Sequence, residues 1–248
     1  MNAFSLEGKK ILVTGASSGI GRATAIAAAE LGARVVLTAR REDALEETRL
    51  ACTGDGHRVV AGDVTDAGFV SRMLDEVGAL DGLAYVAGLC PVEPLSGFLV
   101  PRAEEAMRVN CLAFVELMRL LSRPRAHAPG FSAVAVSSVS AVVGWSGGTV
   151  YCATKGALSS CVRGLATELA PRGMRVNAVC PSNIETPMFA AGAGRMADEA
   201  SRAALLKRQP LGIGRPEQVA RPICFLLSDA ASFITGVNLP VDGGYLAQ

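Results

Sequence analysis

Short apolar runs alternate with amphipathic stretches along most of this chain. Residues 9–14 (KKILVT) are an apolar run stopped by Gly15; with both faces apolar, the run predicts a buried parallel strand. The Ala-rich stretch from Ile20 to Leu31, closed by Gly32, predicts a helix. The pattern continues with a strand at Arg34–Thr38, a helix at Glu42–Ala51, a strand at His57–Ala61 and a helix at Asp66–Val77. Further strands are predicted at Gly82–Val86, Phe131–Val136, Arg175–Val179 and Gly236–Val241. Long helices are predicted at Arg102–Leu121, with Pro124 breaking the chain behind it, and at Val150–Ala170, closed by Pro171 and Gly173. A last helix, Pro216–Leu227, has proline at its start. Regular alternation with short connections predicts a single α/β domain over residues 1–248. Its core is a doubly wound parallel sheet of about seven strands with helices on both faces. Ser182–Leu211 follows no clear period, and a long unpatterned insertion in a compact domain predicts a substrate-binding loop or lid.

Composition narrows the function classes. Half the residues are hydrophobic (50%) and 19% are charged, a globular balance. Lys and Arg number 24 against 23 Asp and Glu, so the net charge of +1 gives no basis for nucleic-acid or acidic-membrane binding. Seven widely spaced cysteines with no C-x-x-C pair, and two distant histidines, argue against a zinc cluster or a disulfide framework. They read as free thiols in a reducing compartment. No leader-like segment opens the chain, and no run approaches the ~20 apolar residues of a membrane span, so a cytoplasmic protein is expected.

The connection after the first strand reads Thr14-Gly15-Ala16-Ser17-Ser18-Gly19-Ile20-Gly21. Alone, three glycines are an ordinary turn. Between a strand and a helix, their G-x-x-x-G-x-G spacing lets the backbone approach a pyrophosphate at a helix N-terminus, as in a Rossmann-like domain. The second strand ends in Thr38-Ala39-Arg40-Arg41, with no carboxylate to accept from a ribose hydroxyl. Arg40 and Arg41 suit the extra phosphate of NADP(H), with NAD(H) possible; the plainer reading is of two solvated charges opening a helix.

Tyr151 and Lys155 stand four residues apart on one face of a predicted helix. A tyrosine titrating at ~10 is a poor acid–base catalyst near neutrality, and an adjacent ammonium is expected to bring it down. Ser138 ends the fifth strand, thirteen residues before Tyr151, where its hydroxyl could hold a substrate oxygen; Ser137 is its rival.

Taken together, these motifs resemble the short-chain dehydrogenase/reductase family over nearly the whole chain. The resemblance covers TGASSGIG at residues 14–21, Asp63-Val64, Ala87-Gly88, Asn110, Ser138, Tyr151-x-x-x-Lys155, residues 181–186 and Val241-Asp242-Gly243-Gly244. It implies roles. Asp63 would bind adenine with Val64 packed beside it, and Ile184 and Thr186, after Pro181, would contact the nicotinamide carboxamide. Ser138 would orient the carbonyl and Tyr151 would be the general acid/base. Lys155 would lower the tyrosine pKa and bind ribose hydroxyls. Asn110 would kink its helix and hold a water that relays protons through Lys155. A homo-oligomer, tetramer or dimer, is implied as well. Read singly, Asp63 could equally be a helix cap, Asn110 a satisfied core polar group and Thr186 a cap. Two positions depart from the family: Tyr85-Val86 replaces a pair of asparagines that steady the central strands, and Ser182 replaces a glycine.

The reading is therefore an NADP(H)-dependent oxidoreductase interconverting a ketone and a secondary alcohol. A non-catalytic dinucleotide sensor would have little need of Tyr151 and Lys155. The general resemblance is to 3-oxoacyl-carrier-protein reductases, which makes a 3-oxoacyl thioester the first substrate expectation. Arg119, Arg123, Arg125 and Arg172 are candidates to dock an acidic acyl carrier protein. The expected pocket residues include the apolar Trp145, Met188, Phe189 and Met196, which suggests a largely apolar or medium-sized carbonyl substrate; a sugar, steroid or secondary-metabolite ketone is the alternative.

Overall fold

The computed structural model describes residues 2–191 and 199–247, so Met196 lies outside the described residues. Among these are seven strands: β1 (Lys10–Thr14), β2 (Arg34–Thr38), β3 (Arg58–Val59), β4 (Leu80–Tyr85), β5 (His127–Val136), β6 (Arg175–Pro181) and β7 (Asn238–Val241). They form one parallel sheet in the order β3-β2-β1-β4-β5-β6-β7. The helices are α1 (Gly19–Glu30), α2 (Glu42–Ala51), α3 (Ala67–Val77), α4 (Val100–Met107), α5 (Ala113–Leu121), α6 (Thr149–Leu169), α7 (Pro187–Ala191), α8 (Glu199–Arg208) and α9 (Pro216–Leu227).

The central strands are apolar on both sides because each side meets helices. Ile11, Val13, Val35 and Leu37 pack with Ala25 and Ala28 of α1 and with Val219 and Ile223 of α9. Leu12, Val36 and Leu83 face the other way, onto Phe114 and Leu117 of α5 and Leu158 and Val162 of α6. Burial of this kind, at roughly 25 cal/mol per Å² of apolar surface, is the main force holding helices to sheet.

Boundaries differ from the periodicity in three informative places. β3 is two residues long, not five, since it pairs only with β2 at the sheet edge. The expected single helix from Arg102 is α4 and α5 joined by a π-helical turn over Arg108–Leu112. Such a turn lets one extra residue bulge out of the helical ladder, and Asn110 lies in it. The unpatterned segment at 182–211 contains α7 and α8. Among the described residues no helix is long and apolar enough to cross a membrane.

The chain leaves β1 toward β2 and β3, then returns to β4 on the other side of β1. At that reversal the connections diverge, leaving a crevice beyond the carboxyl ends of β1 and β4, where open α/β sheets bind ligands.

Candidate active site

A cleft of about 1480 Å³ occupies this crevice. Its floor at the β1–α1 turn is built from glycines. Gly15 is left-handed (φ 66°), and a Cβ there would stand 2.9 Å from the Ala87 nitrogen. A Cβ on Gly21 would lie 2.1 Å from the Gly15 carbonyl oxygen, so α1 can start against the turn only without that side chain. Thr14 fixes the neighbouring wall: its hydroxyl, buried at the end of β1, accepts from the Val86 and Ala87 amides at 3.0 and 3.1 Å.

The opening turn of α1 is free for an anion. Ser18 makes no side-chain capping bond and the turn carries no acid. At α3, by contrast, Asp66 accepts from the Gly68 and Phe69 amides. Open N–H groups at a helix N-terminus, with the helix dipole behind them, suit a phosphate. Ser17, Ser18, Gly19 and Ile20 line this part of the cleft. Arg40 and Arg41 lie exposed at its rim, and Arg41 donates to the Ser17 hydroxyl at 3.4 Å. Asp63 and Val64 form the next stretch of wall. Burial opposes ionisation of Asp63, but hydrogen bonds from the Thr65 amide and hydroxyl, both 2.8 Å, and the Arg40 charge hold its carboxyl below the ordinary value. Ala87, Gly88, Pro181, Ile184 and Thr186 line the cleft farther along. These residues fit a dinucleotide: a side-chain-free cradle, an uncapped helix start and basic groups where β2 ends.

Ser138, Tyr151 and Lys155 come together in the same cleft. Ser138 follows β5 and opens a short helical turn, its oxygen accepting from the Ser140 amide at 3.1 Å. Ser137 also lines the cleft, but its hydroxyl is engaged by α6, donating to the Lys155 carbonyl at 3.1 Å and sharing a 2.8 Å bond with Ser159. Tyr151 and Lys155 share the cleft face of α6, with the Lys155 Nζ 5.7 Å from the Tyr151 ring centre. Burial pushes the Tyr151 phenol far above its ordinary value, the Cys90 thiol adds to this, and its hydrogen bond with Ser138 pulls the other way. The expected lowering by Lys155 does not prevail against burial of the phenol; the Lys155 Nζ itself donates to the Val136 carbonyl at 2.8 Å. Burial brings Lys155 itself down to about 8, against the opposing influence of nearby thiols.

Asn110 does not line the cleft; it is wholly buried behind it. Its Oδ1 accepts from the Leu89 amide at 2.7 Å, and its Nδ2 donates to the Leu89 carbonyl at 2.8 Å and to Thr154 Oγ1 at 2.9 Å. A Cβ on Gly88 would touch both Asn110 Oδ1 (3.3 Å) and Lys155 Nζ (3.6 Å), so Gly88 leaves a gap between those two groups.

The two departures from the family pattern have local explanations. Tyr85 is buried against Phe114, and its hydroxyl donates to the Val109 carbonyl at 2.5 Å, tying β4 directly to the π-turn. Ser182 escapes strain: Arg125 is the only left-handed non-glycine among the described residues, and the Ser182 hydroxyl donates to the Asp242 carbonyl at 2.9 Å.

The arginines proposed to dock a carrier protein are not brought to this cleft. Arg119 and Arg123 lie at the end of α5, Arg125 just before β5 and Arg172 just before β6, so they stand where strands begin, at the opposite end of the sheet. Arg119 is paired with Glu116 at 2.6 Å, and Arg172 donates to the Ser122 carbonyl.

Sequence reasoning missed several contributors. Thr14 and Thr154 sit inside quoted motifs yet carry no signal beyond their neighbours. Gln209 clamps Asn183 and the Gly212 carbonyl from within the unpatterned segment, which no periodicity could reveal.

Residues 15–246 match a family model described as enoyl-(acyl carrier protein) reductase. The chain belongs to the short-chain dehydrogenase/reductase family. It is 38% identical to L-rhamnose 1-dehydrogenase (NAD(P)(+)) of Sphingomonas sp. (strain SKA58) over 248 residues, covering 96% of each chain. It is 40% identical to cis-4-hydroxycyclohexanecarboxylate dehydrogenase of Sinomonas cyclohexanicum over 244 residues, covering 95% of this chain and 96% of the relative. A structure assigned as an NAD(P)-dependent gluconate 5-dehydrogenase from Beutenbergia cavernae, with NADP bound at low occupancy, superposes with a TM-score of 0.90 at 33% identity over 100% of both chains. As a short-chain dehydrogenase/reductase, the protein is an NAD(P)-dependent oxidoreductase acting on CH–OH and C=O groups.

Proposed function

We propose that this enzyme interconverts a secondary alcohol and a ketone on a sugar or a related hydroxylated compound, with NADP(H) preferred over NAD(H). The observation that carries the reading is that Ser138, Tyr151 and Lys155 come together in one cleft with the glycine turn and open start of α1, which fit a dinucleotide. The substrate class follows the similar proteins, two of which act by name on a sugar or a sugar acid and one on a ring alcohol. The first expectation, a 3-oxoacyl thioester, gives way to this alternative. The arginines that would have received a carrier protein lie at the far end of the sheet, so that partner loses its support.

In reduction, Tyr151 gives its phenolic proton to the carbonyl oxygen while Ser138 holds that oxygen in place. In oxidation, Tyr151 takes the proton of the alcohol. A nicotinamide held here would supply or accept the hydride and, when oxidised, would add positive charge that favours a phenolate. Lys155 holds a second positive charge beneath the tyrosine and is placed to bind the ribose hydroxyls. Asn110, both its amide protons engaged, positions Leu89 and Thr154. A water in the gap left by Gly88 would link Asn110 to Lys155. Gly15, Gly19, Gly21 and the start of α1 would hold the pyrophosphate, Arg40 and Arg41 the 2′-phosphate, Asp63 and Val64 the adenine, and Ile184 and Thr186 the carboxamide. α7 and α8 supply Met188, Phe189 and Leu205 to the substrate side, as a binding segment would. A homo-oligomer is expected in solution, and light scattering measures it.

The test is turnover of L-rhamnose, cis-4-hydroxycyclohexanecarboxylate and gluconate with NADP+ and with NAD+, beside acetoacetyl thioester with NADPH. Tyr151→Phe should lose at least ~100-fold in kcat for the true substrate while still binding NADPH. Arg40→Asp should shift preference toward NAD(H). Efficient turnover of the thioester alone would overturn the substrate class, and an active Tyr151→Phe would overturn the mechanism.

A further inference from the structure

We propose that Trp145 is a stacking platform that makes the enzyme select alcohols and ketones carried on a six-membered ring over open-chain ones. The inference rests on the reading of the cleft as a carbonyl–alcohol site and narrows it.

Trp145 is the sole tryptophan of the chain. It lies in the connection between β5 and α6, half-buried on the cleft wall, and belongs to neither apolar core cluster. Its ring centre is 6.3 Å from that of Tyr151, with the two planes inclined at 50°. Two separate features fix the indole. Its Nε1 donates to the Ser140 hydroxyl at 3.0 Å, and the Ser140 amide donates to the Ser138 hydroxyl at 3.1 Å. The platform is thereby tied, through one residue, to the serine that would hold the reacting oxygen. The second feature is Gly148, immediately ahead of α6. A Cβ there would fall 2.3–2.6 Å from three indole carbons, so the indole can lie against the helix start only because that residue has no side chain.

A side chain that merely filled space would not need both a hydrogen bond holding its plane and a glycine cut away behind it. Held this way, the indole offers a flat, electron-rich surface beside the proton donor. A pyranose or cyclohexane ring presents a rigid face of C–H bonds that can lie on such a surface. An open chain making the same contact must freeze several torsions, which offsets the gain.

The sole tryptophan reports directly. With oxidised cofactor bound to Tyr151→Phe, which should not turn over, L-rhamnose and cyclohexanol should quench or shift the protein's emission at concentrations that follow the wild-type KM, and gluconate should not. Trp145→Leu should lower the ratio of kcat/KM for ring over open-chain substrates about 5- to 10-fold, mostly through the KM of the ring compounds. Trp145→Phe should retain most of the ring preference. An unchanged ring-to-chain ratio in Trp145→Leu, with turnover intact, overturns the platform and leaves the carbonyl–alcohol reading standing. No turnover of ring or open-chain compounds by the wild-type enzyme, with no change in emission, defeats that reading and this inference together.

Discussion

Lys155 should make the folded protein less stable at neutral pH than the same fold without its charge. The side chain is 4% exposed, and burial holds its ammonium at about 8 instead of an ordinary 10.5. At 1.36 kcal/mol per pH unit, the charged form costs the fold about 3 kcal/mol at pH 7. Below pH 8 the lysine is charged in both folded and unfolded chains, and the penalty is fully present. Between about 8 and 10.5 the unfolded chain keeps a proton that the folded one has released, so stability rises with pH. Lys155→Met removes the titration. It also removes the donor to the Val136 carbonyl, a pH-independent loss of about 1–3 kcal/mol. Urea unfolding of the cofactor-free wild type and variant at pH 7, 8, 9 and 10 separates the two effects. The stability of wild type relative to variant should rise by about 2.5 kcal/mol from pH 7 to pH 10, whatever the size of the constant offset. Tyr151, pushed far up by burial, stays neutral in the fold over this range, and its ionisation in the unfolded chain near pH 10 is common to wild type and variant and cancels. Two parallel profiles would refute the reasoning and mean that water or a local opening solvates the ammonium.

Three further outcomes follow from the geometry. Gly21→Ala places a methyl 2.1 Å from the Gly15 carbonyl oxygen and must displace the start of α1; calorimetric titration should show NADPH affinity down by at least ~10-fold, about 1.4 kcal/mol. Tyr85→Phe leaves the Val109 carbonyl without its donor, so urea unfolding should show about 1–3 kcal/mol less stability, with the accompanying loss of activity expressed in kcat. Gly88→Ala fills the gap between Asn110 and Lys155; cofactor affinity should hold within a few fold while steady-state kcat falls about tenfold, and an unchanged kcat would remove the proposed water link.

Much of the fold could be read along the chain because local chemistry and global architecture agree there. Arg34–Thr38, Glu42–Ala51 and Pro216–Leu227 have the limits their patterns predict, since apolar runs buried on both faces and a proline-led helix leave little freedom. The glycine spacing, Tyr151-x-x-x-Lys155 and the strand-end Ser138 were legible for the same reason: each needs only its own element to make chemical sense. Other features depend on partners distant in sequence, and no local pattern carries them. The π-turn at Asn110 is satisfied by Leu89 and Thr154, from two other elements. Tyr85 looks like a lost asparagine until Val109 is found against its hydroxyl. Arg119, Arg123, Arg125 and Arg172 form a plausible patch on paper, yet helices and strands run in opposite directions, which carries them to the end of the sheet away from Tyr151. The alternation of strand and helix was thus readable from the chain alone, as were the glycine spacing and the Tyr151-x-x-x-Lys155 pair on which the proposed site is built, because these rest on period and spacing. Only the tertiary structure decided which charges reach the cleft, what holds Asn110 and how the indole of Trp145 is set beside Tyr151, because burial and hydrogen bonding across the sheet are properties of residues the chain keeps far apart.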